Sequence, residues 1–236
     1  LLDADCDSDV NAKKAGFTDA KDMATKMVRE YETMIKSIEK YGGFYIGRYE
    51  LSGTVDNPTE KTGTTITKKT WYELYNACKK IGAKSDGSDK EGIATRMIWG
   101  CQWDATCDFI SKKGEKKKIT DSSTWGNYYD STSPANTGNY EIDEKKDTGS
   151  NEYWKANNIY DIAGNCCEWT QEAYGPRDRA YRGGYYGNFG SRHPASSRAI
   201  SYGSSDPASS RAYDFPTRSD HAAYGSRPTL IITTGI

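Results

Sequence analysis

No apolar run in the chain approaches the ~18 residues needed to cross a bilayer, and the mean hydropathy is -0.86. Charge of one sign is also missing. The 32 basic and 33 acidic side chains leave -1, which gives no field to attract nucleic acid or anionic lipid. Histidine occurs twice and cysteine six times in 236 residues, with no cysteine after Cys167. That is too sparse for a disulfide scaffold, and a chain this long can bury a core without one. Cys101 and Cys107 lie six apart and Cys166 and Cys167 are adjacent, so no zinc-type C-x₂₋₄-C pair exists. No phosphate loop, Ser-His-Asp arrangement or paired-carboxylate signature is present. The opening LLDADCDSD lacks a basic n-region, so no signal peptide is visible, and it lacks an initiator Met, as a piece of a longer protein would.

Aromatic residues are abundant instead. Hydrophobic content is only 35%, yet there are 18 Tyr and 6 Trp, so burial must lean on rings. The charges are segregated. Every Lys lies at or before Lys155, whereas eight of the eleven Arg lie from Arg177 onward. The last fifty residues are rich in Tyr, Ser, Gly and Arg.

Met23, Met27, Tyr31, Met34, Ile35 and Ile38 recur at helical spacing. Thr18 or Asp19 caps the start of that helix and Gly42 ends it. Phe44 to Leu51 (FYIGRYEL) reads as a strand. Helices are expected over 70–81 and 103–112, with Cys78 and Cys107 facing inward as small hydrophobes. A Gly/Asp/Ser loop separates those two helices, and 114–155 reads as a polar, loop-rich stretch. Short strands are expected through Trp169, over 179–186 and over 230–233. In a strand, adjacent Cys166 and Cys167 point to opposite sides, so one should be buried and the other not. Trp71, Trp99, Trp103, Trp154 and Trp169 read as core.

The strings FYIGRYELS, TWYELYNACKK, TRMIWGCQWDA, NIYDIAGNCCEWT, RAYRGGYY and GSRPTLI resemble, in order, the formylglycine-generating-enzyme-like (sulfatase-modifying-factor) branch of the C-type lectin fold. The resemblance covers roughly residues 44 to 232. Its specific parts are D-x-x-G-N-x-x-E-W and R-G-G. Within that branch the tail looks most like the variable proteins of diversity-generating retroelements, which phages and gut bacteria carry. The resemblance implies an α+β, loop-rich C-type lectin fold of the formylglycine-generating-enzyme type with an N-terminal helix. The division expected is a helical extension over 1–42 and a ligand-binding domain over 43–236, with a variable region at about 181–232.

The enzymes of this branch use a copper-binding thiol pair just after the R-G-G strand, and copper(I) needs soft thiolates. The matching stretch, Tyr185 to His193, has no Cys. The chain is therefore expected to bind rather than react. Tyr, Ser, Gly, Asn and Arg form the palette of antibody paratopes. The expected contact residues are Tyr185, Tyr186, Asn188, Phe189, Arg192, His193, Ile200, Tyr202, Tyr213, Phe215, Arg218, His221 and Tyr224. Incidental aromatics in a solvated Gly-Ser loop are the alternative, and a structural tail-fibre or adhesin domain is the competing function. Gly183 and Gly184 are read as backbone geometry. Ser196, Arg198, Ser209, Arg211, Ser226 and Arg227 are read as loop ties.

The resemblance also implies a structural calcium at Asp161, Gly164, Cys166 and Glu168. Otherwise Asp161 caps the turn at 163–165 and Glu168 pairs with an Arg. Recognition itself requires no cofactor. The expected partner is a protein or glycan on a target cell surface, with neither nucleic acid nor membrane insertion. The expected location is a virion tail or a bacterial surface.

Overall fold

The computed structural model describes residues 8–133, 144–175, 178–197, 212–214 and 222–236, with backbone alone at 174–175, 178 and 212–214. A short helix α1 (Asp9–Lys14) precedes the long α2 (Ala20–Tyr41). Asp19 caps α2 by accepting from the Asp22 N–H at 2.7 Å, and Gly42 ends it in the left-handed region at φ 79°. Met23, Met27 and Met34 are buried along one face. Each such side chain contributes about 1.5–3 kcal/mol on burial.

The expected strand over 44–51 is broken. It becomes β1 (Tyr45–Ile46), followed by β2 (Ser52–Gly53) and β3 (Pro58–Thr59). Buried Glu50 accepts hydrogen bonds from Thr65, Asn165 and Cys166 between these pieces. Helix α3 (Trp71–Lys80) opens with a capping box made by Thr70 and Glu73. The loop expected after it contains a strand, β4 (Ile93–Met97), whose centre is buried. Helix α4 (Gly100–Lys112) starts three residues before the expected position.

The polar stretch that follows has a single 3₁₀ turn at Glu152–Trp154 among its described residues, and then β5 (Lys155–Ala156) and β6 (Ile159–Tyr160). The remaining strands are β7 (Cys167–Gly175), β8 (Asp178–Arg182), β9 (Ala212–Asp214), β10 (Tyr224–Ser226) and β11 (Pro228–Ile232). Besides the two-stranded pairs β2-β3 and β5-β6, one sheet has the order β1-β11-β4, all antiparallel, and a second the order β10-β7-β8-β9.

That second order positions the candidate site. β8 and β10 flank β7 on opposite sides, and β10 runs parallel to β7. The chain from 183 to 223 therefore leaves on one side of β7 and returns on the other.

Two apolar clusters fill the interior. The first joins Met23, Met27 and Met34 to Trp71, Tyr75, Trp169 and Ile231, so α2 shares its core with the sheets. The second joins Trp103, Trp125, Tyr128, Ile162 and Ala195. The five tryptophans expected in the core are all buried, as are Cys78 and Cys107. Burial pushes both of these thiols up to about 12. Cys166 and Cys167 are both buried, against the alternation expected. Cys167 enters the first core cluster from a strand with neighbours on both edges, while Cys166 lies beneath Glu50 in the preceding turn. None of the five described cysteines is in a disulfide.

Arg227, between β10 and β11, ties the two sheets together. Its Nε donates to both Glu168 oxygens at 3.0 and 3.2 Å, and Nη2 donates to Glu168 Oε1 at 2.7 Å. Nη1 donates to the Gly47 carbonyl and Nη2 also to the Tyr160 carbonyl. Both side chains of the pair are wholly buried. Removing one partner strands the other charge. Arg227→Met should therefore lower unfolding free energy by about 3–5 kcal/mol in urea titrations. The double variant Glu168→Gln/Arg227→Met should recover part of that loss, and strict additivity of the two single losses would contradict the pairing.

Candidate ligand-binding face

The chain leaves β8 through Gly183 and Gly184, both at positive φ (88° and 70°). A Cβ at Gly184 would sit 2.4 Å from the His193 carbonyl oxygen. The R-G-G string is thus backbone geometry, as expected. The Gly183 carbonyl accepts from the Tyr128 hydroxyl at 2.5 Å and from the Gly164 N–H at 2.9 Å. Arg182 anchors the base, with Nε donating to the Ser197 carbonyl at 3.0 Å and Nη2 to Asp104 at 2.6 Å.

The loop that follows is held along its length. Asn188 accepts at its side-chain oxygen from the Tyr185 N–H, and its own N–H donates to the Tyr185 carbonyl at 2.8 Å. The Phe189 carbonyl accepts from the N–H groups of Arg192 (3.0 Å) and His193 (2.8 Å). Asp130 accepts from the Gly190 N–H at 2.5 Å and the Ser191 hydroxyl at 2.9 Å. The Gly190 carbonyl accepts from the Ser122 N–H, and the Ser122 hydroxyl accepts from the Ala195 N–H, each at 3.0 Å. Ala195 is buried, and its carbonyl accepts from the Trp103 indole at 2.8 Å. Ser196 donates to the Ile119 carbonyl from both its N–H and its hydroxyl.

Six expected contact residues come together on this loop. Phe189 is 40% exposed and Arg192 is exposed, while Tyr185, Tyr186, Asn188 and His193 are half-buried. Tyr185 and Tyr186 meet edge to face at 5.3 Å, and the Arg192 guanidinium lies over the Phe189 ring at 5.1 Å. Burial and then the Arg192 charge hold the His193 imidazole below its usual range.

Tyr224 is a correction. It is 5% exposed and stands in β10 with its ring packed against Trp169 and Tyr181 at 5.3 and 4.8 Å. It is core, because the tail has already returned to the sheet by that point. Tyr213 falls in β9, where only its backbone is described, pairing with Ala180. Ile200, Tyr202, Phe215, Arg218 and His221 lie outside the described residues, as do Arg198, Ser209 and Arg211. Of the loop ties read from sequence, Ser196, Ser226 and Arg227 make interior hydrogen bonds.

Of the residues for which calcium was expected, Glu168 is committed to a different cation. Both Glu168 oxygens face Arg227, so the cation at this end of β7 is a guanidinium. Asp161 does not cap the 163–165 turn. Its Oδ2 accepts from the Thr148 hydroxyl at 2.9 Å and the Gly149 N–H at 2.8 Å, and its buried Oδ1 has no hydrogen-bond partner among the described residues. Gly164 packs against Asn127, whose carbonyl oxygen a Cβ there would meet at 2.1 Å. Among the described residues no group of three or more His, Cys, Asp or Glu is placed to hold a metal ion.

Three buried carboxylates share one guanidinium here. Burial, followed by the charges of Asp161 and Glu168, pushes the Glu50 carboxyl well up. Burial likewise raises Glu168, opposed by Arg227. Burial raises Asp161 to about 6.

No family model matches the chain, and no curated protein matches it. Among solved structures it is similar to Treponema denticola variable protein 1, at 14% identity over 70% of each chain with a TM-score of 0.41. It is also similar to CarF, at 13% identity over 86% of this chain and 82% of that one, with a TM-score of 0.39.

Folded Asp161 holds its proton to about pH 6, whereas an unfolded one releases it near 3.8. The folded state thus binds more protons in that window, and Asp161 lowers stability as pH rises through it, by about 3 kcal/mol in all. Asp161→Asn removes the charge and suits the residue's φ of 56°. It should stabilise the chain by about 1–3 kcal/mol at pH 7.5 and hardly at all at pH 4, as read from thermal melts. A loss at pH 7.5 would mean that a cation holds Asp161 ionised.

Proposed function

We propose that this chain is a non-enzymatic recognition domain of the C-type lectin type, whose tail-end loops form a diversified contact surface. One observation carries the reading. Phe189 and Arg192 stand exposed, and Tyr185, Tyr186 and Asn188 half-buried, on one loop whose backbone is hydrogen-bonded to framework groups on both sides. A loop ordered before binding loses less entropy on contact, so affinity can come from side chains that change while the backbone does not. Tyr offers large contact area for two torsions. The same palette continues in the sequence between 198 and 223.

Catalysis has little support in this stretch. Tyr185 to His193 offers no thiolate for copper. The buried thiols Cys166 and Cys167 are pushed up by burial, away from the thiolate form a soft metal takes. The proposed partner is a macromolecule on a target cell, met from a virion tail or a bacterial surface. The proposed source of variation is a retroelement acting on the 3′ coding segment.

Three experiments test the reading. The gene should lie beside a reverse-transcriptase gene and a near-copy of its 3′ segment that differs at adenines. Sequence differences among isolates should concentrate between about 185 and 224, and an even spread along the chain would favour a structural fibre domain. Copper-loaded protein given a Cys-containing peptide should consume no oxygen above background, and clear turnover would overturn the reading.

A further inference from the structure

The segment 119–132 lies outside the tail and meets the recognition loop repeatedly. The Tyr129 N–H donates to the Asn188 carbonyl at 2.9 Å, and Asp130 takes the Gly190 N–H and Ser191 hydroxyl. These bonds bring the Tyr129 ring to Phe189, edge to face at 5.4 Å. Tyr129 is 49% exposed. Two large rings therefore stand side by side in solvent, one from each segment. Arg192 covers one face of Phe189 and meets no carboxylate among the described residues. Asp130, the nearest acid on the segment, is already committed to the loop backbone and Ser191.

We propose that Tyr129 is a further binding residue of this face, and that the Tyr129–Phe189–Arg192 patch takes an acidic polypeptide segment, with an Asp or Glu beside an apolar side chain. The proposal rests on the recognition reading above and names the chemistry of its partner. An exposed guanidinium with no carboxylate partner among the described residues calls for an anion, and its planar fork matches a carboxylate bidentately. Exposed aromatic pairs beside it are the composition of interface anchors. Polypeptide is favoured over glycan because one face of Phe189 is taken by Arg192 and Tyr129 meets Phe189 edge to face, which narrows the open ring surface a sugar would stack on. A cation beside two exposed rings fits an acidic side chain next to an apolar one. Asp130 acts as a positioning residue, because its two bonds fix the loop bearing Phe189 against Tyr129.

The test is a random peptide library displayed on phage and selected on the full chain, with a glycan array run in parallel. Enriched peptides should carry Asp or Glu next to an apolar residue. Tyr129→Ala and Arg192→Ala should each weaken the best peptide at least about tenfold. Tyr129→Phe should bind within about twofold of the parent, since the ring is kept. Raising salt should weaken parent binding and leave Arg192→Ala nearly unaffected. Unchanged melting temperatures establish that the variants fold. Enrichment of peptides without acids, binding to glycans alone, or no enrichment at all would overturn the proposal. Full binding by Tyr129→Ala would also overturn it, while loss in Tyr185→Ala and Tyr186→Ala would leave the wider recognition reading standing.

Discussion

The buried pair of Arg227 with Glu168 is the constraint on which the remaining structure turns. A guanidinium with no exposed surface needs partners inside the protein, and each of the three Arg227 side-chain nitrogens finds at least one. It grips Glu168 in β7, the carbonyl after β1 and the carbonyl at β6. That grip fixes the place where the tail, having left the sheet at β8, rejoins it at β10 beside β7. Burial makes such a pair weak as a source of stability, because desolvation offsets most of the attraction. Its value here is geometric, since the return point of the loops cannot drift while both charges stay dry.

The acidic surplus around that pair sets a cost. Burial raises both Glu50 and Asp161, and the charges of Asp161 and Glu168 raise Glu50 further, close to a guanidinium already matched by Glu168. Hydrogen bonds from Thr65, Asn165 and the Cys166 N–H hold Glu50, while Thr148 and Gly149 hold Asp161. The same carboxylates thereby pin the loops around residues 50, 148 and 165, and the Asn165 carbonyl in turn accepts from the Tyr186 N–H at 3.2 Å. A framework fixed by polar groups of this kind holds the loop backbone through bonds that do not pass through the exposed Phe189 and Arg192 side chains.

Helices α2 and α3 were legible because their signals are local: apolar spacing, an Asp or Thr cap, a Gly stop. The R-G-G bend was legible for the same reason. Strand β4 was not, since IATRM carries no alternation that stands out after a Gly/Asp/Ser stretch, and only its partner β11, far along the chain, makes it a strand. The Glu168–Arg227 pairing spans fifty-nine residues and no spacing rule reaches it. Tyr224 was misread because paratope-like composition continues past the point where the chain re-enters the sheet, and composition cannot mark that point. Tyr129 gave no signal at all, as its role depends on a hydrogen bond to Asn188 from a stretch without periodicity.

The central claim is that the loop over 185–195, proposed for recognition, is ordered by the framework before any partner arrives. Amide hydrogen exchange on the free chain tests it most directly. The N–H groups of Gly190, His193 and Ala195, bonded to Asp130, Phe189 and Ser122, should exchange as slowly as a β7 amide such as Gln171. Exchange of those three at open-loop rates while Gln171 stays protected would contradict the claim.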